Sequence, residues 1–450
     1  MVRVTDMTHG RPIRLILLFS LPLMLGSVFQ QLYTIVDTII IGRGVGMQAL
    51  ASIGAADWIN WLVLWGLQGF TQGFAILAAQ EFGAGAYDRL RRVLAMIVKL
   101  SCWFGIAVTI ISLLLVRPLL TLLHTDPAVF GGAQTYLYVQ FGGSLIIIAY
   151  NMAAAVLRCL GDSKTPLFAI IAASFANIAL DLLFVMGFGW GIFGASFATV
   201  LAQLIAFLLC LRSLRRLPFV QLTKTDWKTD PAILLHLCRL GIPTGLQMSM
   251  ITLGGMVLQS VLNGFGVVFV AGYTAANKLY GILESASVAF GYAMTAYMGQ
   301  NRGARNAARI DAGIRAVLVL SAEFTAAIVT AMLVAGKPLL GLFLSTEEAG
   351  AAEALAVAYQ YLMVLMAFLF ALFMLQAYRS SLQGLGEMTV PTLSGFAEML
   401  MRMGAALVLP TFIGQSGVFF AEGAAWVCAA ALNLVWYYMR IGKIKRDMLQ

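Results

Sequence analysis

AAQEFGAGAYDR, residues 78–89, returns as YMGQNRGARNAAR, residues 297–309, where Gln80, Gly83 and Ala84 reappear as Gln300, Gly303 and Ala304 at an offset of 220. Each copy closes a long apolar run. Gly44, Gly46, Ala55 and Ala56 recur at the same offset as Gly264, Gly266, Ala275 and Ala276. Further along, LRCLGDSKTP (157–166) is echoed by LQGLGEMTVP (382–391), with Leu160, Gly161 and Pro166 returning as Leu385, Gly386 and Pro391. The chain is one half written twice.

Each half is apolar. Of the 450 residues 61% are hydrophobic and 11% charged, where a soluble domain carries about a quarter charged. Twelve apolar stretches lie between the charge clusters, each long enough to cross a hydrocarbon core of about 30 Å as a helix. The fourth runs approximately over 132–157, the fifth over 166–187 and the twelfth over 416–439. The runs are continuous, not alternating, which excludes a membrane barrel. The expected fold is an all-α membrane protein of twelve transmembrane helices in two six-helix lobes. Because six is even, both lobes enter from one side, so a pseudo-two-fold along the membrane normal is expected, with a cleft between the lobes. The lobes are residues 1–216 and 236–450. The polar stretch LPFVQLTKTDWKTDPA (217–232) falls in the linker, residues 217–235.

The net charge of +9 is a topology signal and calls for no nucleic acid. With loops assigned alternately to two sides, 24 of the 29 basic residues fall on the side of the N-terminus. Only Arg43, Arg117 and Lys337 lie opposite, and Lys278 and Arg402 fall within spans. The positive-inside rule then places both termini in the cytoplasm of a multi-pass protein of the cell (inner) membrane. The first apolar run continues into a full span, so it is expected to stay as an uncleaved anchor. The five cysteines, Cys102, Cys159, Cys210, Cys238 and Cys428, have no metal-ligand spacing and read as packing residues.

Polar groups inside the spans carry the functional signal. Asp37 sits in YTIVDTIIIGRGVG (33–46). A carboxylate at membrane depth costs about 2.5–3.5 kcal/mol on insertion scales and faces a partner or a water-filled cavity. At 1.5 Å per residue Asp37 lies about 7–8 Å below the outer end of span 1. In SFANIALDLLFVMGFG (174–189), Asp181 lies about 9 Å below Gly187, with Asn177 one turn deeper on the same face. Thr199, in GIFGASFATV (191–200), lies about 7–8 Å below Gly194. Two carboxylates, an amide and a hydroxyl at one depth form an all-oxygen set suited to a shared proton or to Na⁺ as the one metal. The structural alternative is a capped kink and interhelical hydrogen bonds. Pro22, which removes a backbone donor inside span 1, is the expected hinge.

The second half lacks this quartet and places its acids at Glu284, Glu323, Glu398 and Glu422. Glu398 and Arg402, four apart, are expected to pair along one helix. Glu284, seven residues after Asn277, is positioned to reach the cleft. Trp58, Trp61 and Trp65 share a face of span 2, and indole faces attract organic cations; an interfacial belt is the competing reading. Tyr33, Trp61, Trp65, Asn277 and Glu284 are thus the candidates for lining a substrate cleft.

VDTIIIGRGVG, AAQEFGAG, LRCLGDSKTP and GIFGASFATVLAQ, in this order and over essentially the whole chain, resemble the multidrug and toxic compound extrusion (MATE) transporters. Asn177-x-x-x-Asp181 with Asp37 and Thr199 is similar to the branch containing the DNA-damage-inducible bacterial and archaeal members. The resemblance implies secondary antiport, with organic cations and drugs exported in exchange for H⁺ or Na⁺ by alternating access, a cation site in the N-terminal lobe, and no cofactor. The other large bacterial branch carries an acid in span 7, and GIPTGLQMSMITLGGMVLQSV (241–261) has none. The alternative is a flippase for a lipid-linked oligosaccharide or related precursor, which needs a basic cleft. An enzyme is not expected, since His9, His124 and His236 are scattered over the N-terminus and loops. The expected partners are small organic cations and the bilayer, with the protein a monomer.

Overall fold

The computed structural model describes residues 4–344 and 350–449, so Arg3 of the charge census lies outside the described residues. Among these residues every regular element is helical. The α-helices are α1 (Pro12–Gly44), α2 (Met47–Gly83), α3 (Tyr87–Leu122), α4 (Pro127–Gly142), α5 (Ser144–Cys159), α6 (Lys164–Asp181), α7 (Gly191–Arg215), α8 (Pro231–Leu262), α9 (Val267–Gly303), α10 (Ala307–Gly341), α11 (Ala351–Gly384), α12 (Thr389–Ile413) and α13 (Phe420–Leu449). Two begin on an acid followed by proline. Asp126 accepts the Ala128 amide ahead of Pro127, and Asp230 accepts those of Ala232 and Ile233 ahead of Pro231. Proline has no N–H to orphan in a first turn, and the carboxylate suits the positive end of the helix dipole.

Among the described residues ten helices are each apolar and long enough to cross a bilayer, and α4 with α5 make an eleventh span bent by 50°. The twelfth is α9, whose 37 residues include Asn277, Lys278 and Glu284 and are correspondingly less apolar. The protein therefore has the expected all-α fold of twelve helical spans, six in each half. The bend in the fourth span falls at Gly142-Gly143. A Cβ on Gly143 would sit 2.5 Å from a Val200 methyl, so only glycine lets α7 approach there.

The sequence repeat is a backbone repeat. α2 and α9 have the same length of 37 residues, and each starts after a glycine in the left-handed region, Gly46 at φ 112° and Gly266 at φ 91°. After them Gly85 and Arg305, again 220 apart, adopt φ of 67° and 54°. Gly161 and Gly386 do the same at 91° and 72°.

The chain forms two compact units. The first is Met1–Asp6 with Leu21–Gly245; the second is Met7–Ser20 with Leu246–Gln450. Both α1 and α8 thus pass from one unit to the other partway along. Met7, fully buried in the second unit, donates its amide to Gln300 Oε1 at 2.8 Å, and its carbonyl accepts from Asn301 Nδ2 at 3.1 Å and Arg309 Nη2 at 2.9 Å. In the first unit Lys99 Nζ donates to the Trp227 carbonyl at 2.6 Å and to Thr229 Oγ1 at 2.9 Å, tying the linker to α3. There too α8 packs on α2 through glycines. A Cβ on Gly73 would lie 2.6 Å from Gly241 Cα, and one on Gly241 would enter the Phe74 ring.

Candidate functional site

The site is built where α6 ends. Asn177 and Asp181 lie one turn apart on α6, and at Asp181 the α-helix widens into a π-turn over Leu182–Gly187. Such widened turns concentrate at functional sites. Asp181 is 0% exposed and neither carboxyl oxygen has a hydrogen-bond partner; Asn177 is 1% exposed and both its amide atoms are likewise unpartnered. From α1, Asp37 brings a further buried, unpartnered oxygen, Oδ1. The Asp37 and Asp181 carboxyls face each other within range of a carboxyl–carboxylate hydrogen bond. Two carboxylates cannot make that bond. It requires a proton between them, and a small cation bridging them is the only equivalent.

Leaving buried polar atoms unmatched costs about 1–3 kcal/mol each, so five in one place mark a region built for an exchangeable partner. Tyr33, Asn177 and Thr199 line a cavity of about 40 Å³ together with Gln30, Ser174 and Gln203. That volume suits a few water-sized occupants, each needing about 10–15 Å³ of such space; it is too small for a drug. Thr199 Oγ1 donates to the Ala195 carbonyl at 3.2 Å, which leaves only lone pairs to offer a cation. All four predicted residues are thus brought together, Asp37 and Asp181 face to face, Asn177 and Thr199 on one cavity wall.

One nearby acid lies outside the expected quartet. Asp57 on α2 interacts electrostatically with Asp37, and Asn60, one turn on, donates to the Tyr136 hydroxyl at 3.2 Å. Its signal was the one used for Asp37, an acid inside an apolar run. Among the described residues no three His, Cys, Asp or Glu side chains converge on one metal position.

The cleft candidates scatter. Tyr33 lines the small cavity. Trp61 and Trp65 are 43% and 46% exposed and Asn277 is exposed, so they lie largely uncovered within their own units. Glu284 is half-buried and interacts with Tyr280, one turn before it on α9. Pro22 is buried in α1, which runs through it as one helix.

In the second unit the expected Glu398–Arg402 pair is present at 3.2 Å as one link of a longer chain. Arg379 binds Glu398 at 2.5 Å and Arg402 binds Glu422 at 2.7 Å. Arg379, counted among the loop cations, is therefore buried within α11. Partner choice depends on α11 and α13 packing beside α12, which spacing along α12 alone does not encode.

The profile of the MatE family matches the chain twice, over residues 22–183 and 243–408. The chain belongs to the MATE family. A Bacillus subtilis (strain 168) relative named "Probable multidrug resistance protein YpnP" is 32% identical over 455 positions, covering 99% of this chain and 98% of the relative. Two solved MATE structures, in a bent and a straight conformation, match with TM-scores of 0.89 each at 24% and 23% identity. The first covers 100% of both chains, the second 99% of this chain and 100% of its own. These likenesses establish the MATE fold. MATE proteins are transporters, so this one is a multi-pass membrane transporter and not an enzyme.

Proposed function

We propose that this MATE protein is a secondary antiporter of the cell membrane that exports organic cations and drugs in exchange for H⁺ or Na⁺, with both termini cytoplasmic. The observation that carries it is the facing Asp37–Asp181 pair, deep among apolar helices and without a counter-ion. Such a pair exists stably only with a proton or cation between its members, so loading and release there exchange one stable state for another. Asn177 and the Thr199 hydroxyl complete the oxygen set, and the small cavity beside them supplies the exchange path. The multidrug name of the relative supports the substrate class. The orientation rests on the charge bias and Pro22 supplies the hinge.

A flippase reading needs free basic groups for a pyrophosphate. Arg379 and Arg402 are both neutralised by Glu398 and Glu422, which favours export.

Purified protein in liposomes, with a fluorescent organic cation inside and a pH or Na⁺ gradient imposed separately, tests this. One gradient drives transport in the wild type, and Asp37→Asn and Asp181→Asn, at matched abundance, lose the gradient-driven component. Gradient-driven transport at wild-type rates in both variants would defeat the site. If neither gradient drives wild-type transport, antiport itself is wrong.

A further inference from the structure

The coupling scheme above leaves Asp57 unused. It is half-buried on α2, and its electrostatic partner is Asp37; Tyr136 on α4 feels Asp57, Asp37 and Tyr33 together. No ion pair among the described residues involves Asp37, Asp57 or Asp181, so this part of the first unit holds three acids and no neutralising base. The three do not converge as ligands of one ion. A cation held between Asp37 and Asp181 therefore leaves Asp57 with its own charge.

Asn60 supplies the second observation. It is 4% exposed, its Nδ2 donates to the Tyr136 hydroxyl at 3.2 Å, and its Oδ1 is buried with no hydrogen-bond partner. Spaced three residues from Asp57, it presents that oxygen on the same helix face. A carboxylate, an amide oxygen left without a donor and a phenol oxygen are the groups a proton-carrying water or a small monovalent cation takes as neighbours.

We infer that Asp57, with the Asn60 amide oxygen and the Tyr136 hydroxyl, forms a second monovalent-cation subsite that loads together with the Asp37–Asp181 pair, so that each cycle returns two ions. The inference rests on the cation-coupling reading of that pair. Each acid's charge strengthens the hold of the other on a cation, so the first ion bound weakens the hold on the second; the two load in succession and leave readily.

The experiment is a coupling-ratio measurement in liposomes with the membrane potential clamped to zero. The substrate gradient at which net flux vanishes is found for a series of pH gradients, and separately for Na⁺ gradients. With two ions exchanged, the balancing substrate gradient rises as the square of the ion gradient; with one, in direct proportion. The wild type is expected to follow the square, Asp57→Asn the direct proportion, and Asp57→Glu the square again. The responding gradient identifies the ion as H⁺ or Na⁺. Direct proportion in the wild type, or the square in Asp57→Asn, overturns the inference. Should Asp57→Asn fail to reach the membrane, Asn60→Ala takes its place with the same expected loss. Loss of all gradient-driven flux in Asp37→Asn, with an unchanged ratio in Asp57→Asn, would leave the coupling site standing and remove only the second subsite.

Discussion

Glu398 and Asp181 are both carboxylates sunk among apolar helices, yet their surroundings are opposite. Glu398 lies between two guanidinium groups, at 2.5 Å from Arg379 and 3.2 Å from Arg402; Asp181 faces only Asp37. Removing the charge from Glu398 strands a buried cation, which costs about 3–5 kcal/mol. Glu398→Gln is therefore expected to lower the melting temperature in detergent markedly, while Asp181→Asn, which relieves acid against acid, leaves it unchanged or raises it. Equal losses in the two variants would mean that Asp181 has a structural counter-ion after all. At this scale the quartet was legible because each member interrupts an apolar run, and depth can be counted from the run's end. The partners of Glu398 were not, because Arg379 lies 19 residues away on another helix and nothing in its own neighbourhood marks it as paired. Asp57 carried the same mark as Asp37, an acid inside an apolar run, and was legible on the same ground.

Among elements, the pairing of α2 with α8 depends on atoms that are absent. Gly241 and Gly245 are spaced four apart, so one helix face lacks side chains there, and Phe74 and Phe70 of α2 lie against it. Small residues at this spacing let membrane helices approach closely, where lipid gives no hydrophobic drive. Gly241→Ala puts a methyl inside the Phe74 ring's position and is expected to cost about 1–3 kcal/mol, as overpacked sites do. Gly54, on an uncovered face of α2 with nothing near its would-be Cβ, is the control: Gly54→Ala is expected to be neutral or to gain about 0.5–1 kcal/mol. Thermal unfolding of both variants in one detergent decides it, and a silent Gly241→Ala would mean that the helices separate easily there. The long apolar runs made every helix legible. The 50° bend at Gly142-Gly143 and the π-turn after Asp181 were not, because both interrupt hydrogen bonding without interrupting apolarity. The late start of α13, at Phe420 after a 3₁₀ turn over Gln415–Phe419, has the same cause.

Across the whole molecule, the passage of each half's first helix between units coincides with a proline. α1 changes unit after Ser20, beside Pro22, and α8 after Gly245, beside Pro243. Both prolines remove a helical hydrogen bond where the two ends of one helix answer to different packing partners. Pro22→Ala and Pro243→Ala are each expected to slow turnover several-fold while leaving equilibrium binding of the driving cation intact. Unchanged turnover in both would show that the helices transmit no bend at these points.

The seat of Met7 also sets a schedule for biosynthesis. Its amide is answered by Gln300, 293 residues further along. At about 5–20 residues per second, the ribosome delivers that partner roughly 15–60 s after the first helix has emerged. Throughout that interval residues 7–20 wait with their burial surface unmade, while the rest of the first half is synthesised ahead of their partners. A gene divided at the linker would hand this segment to the wrong fragment, and the second half, inserted without it, would lack part of its own interior until the first arrived.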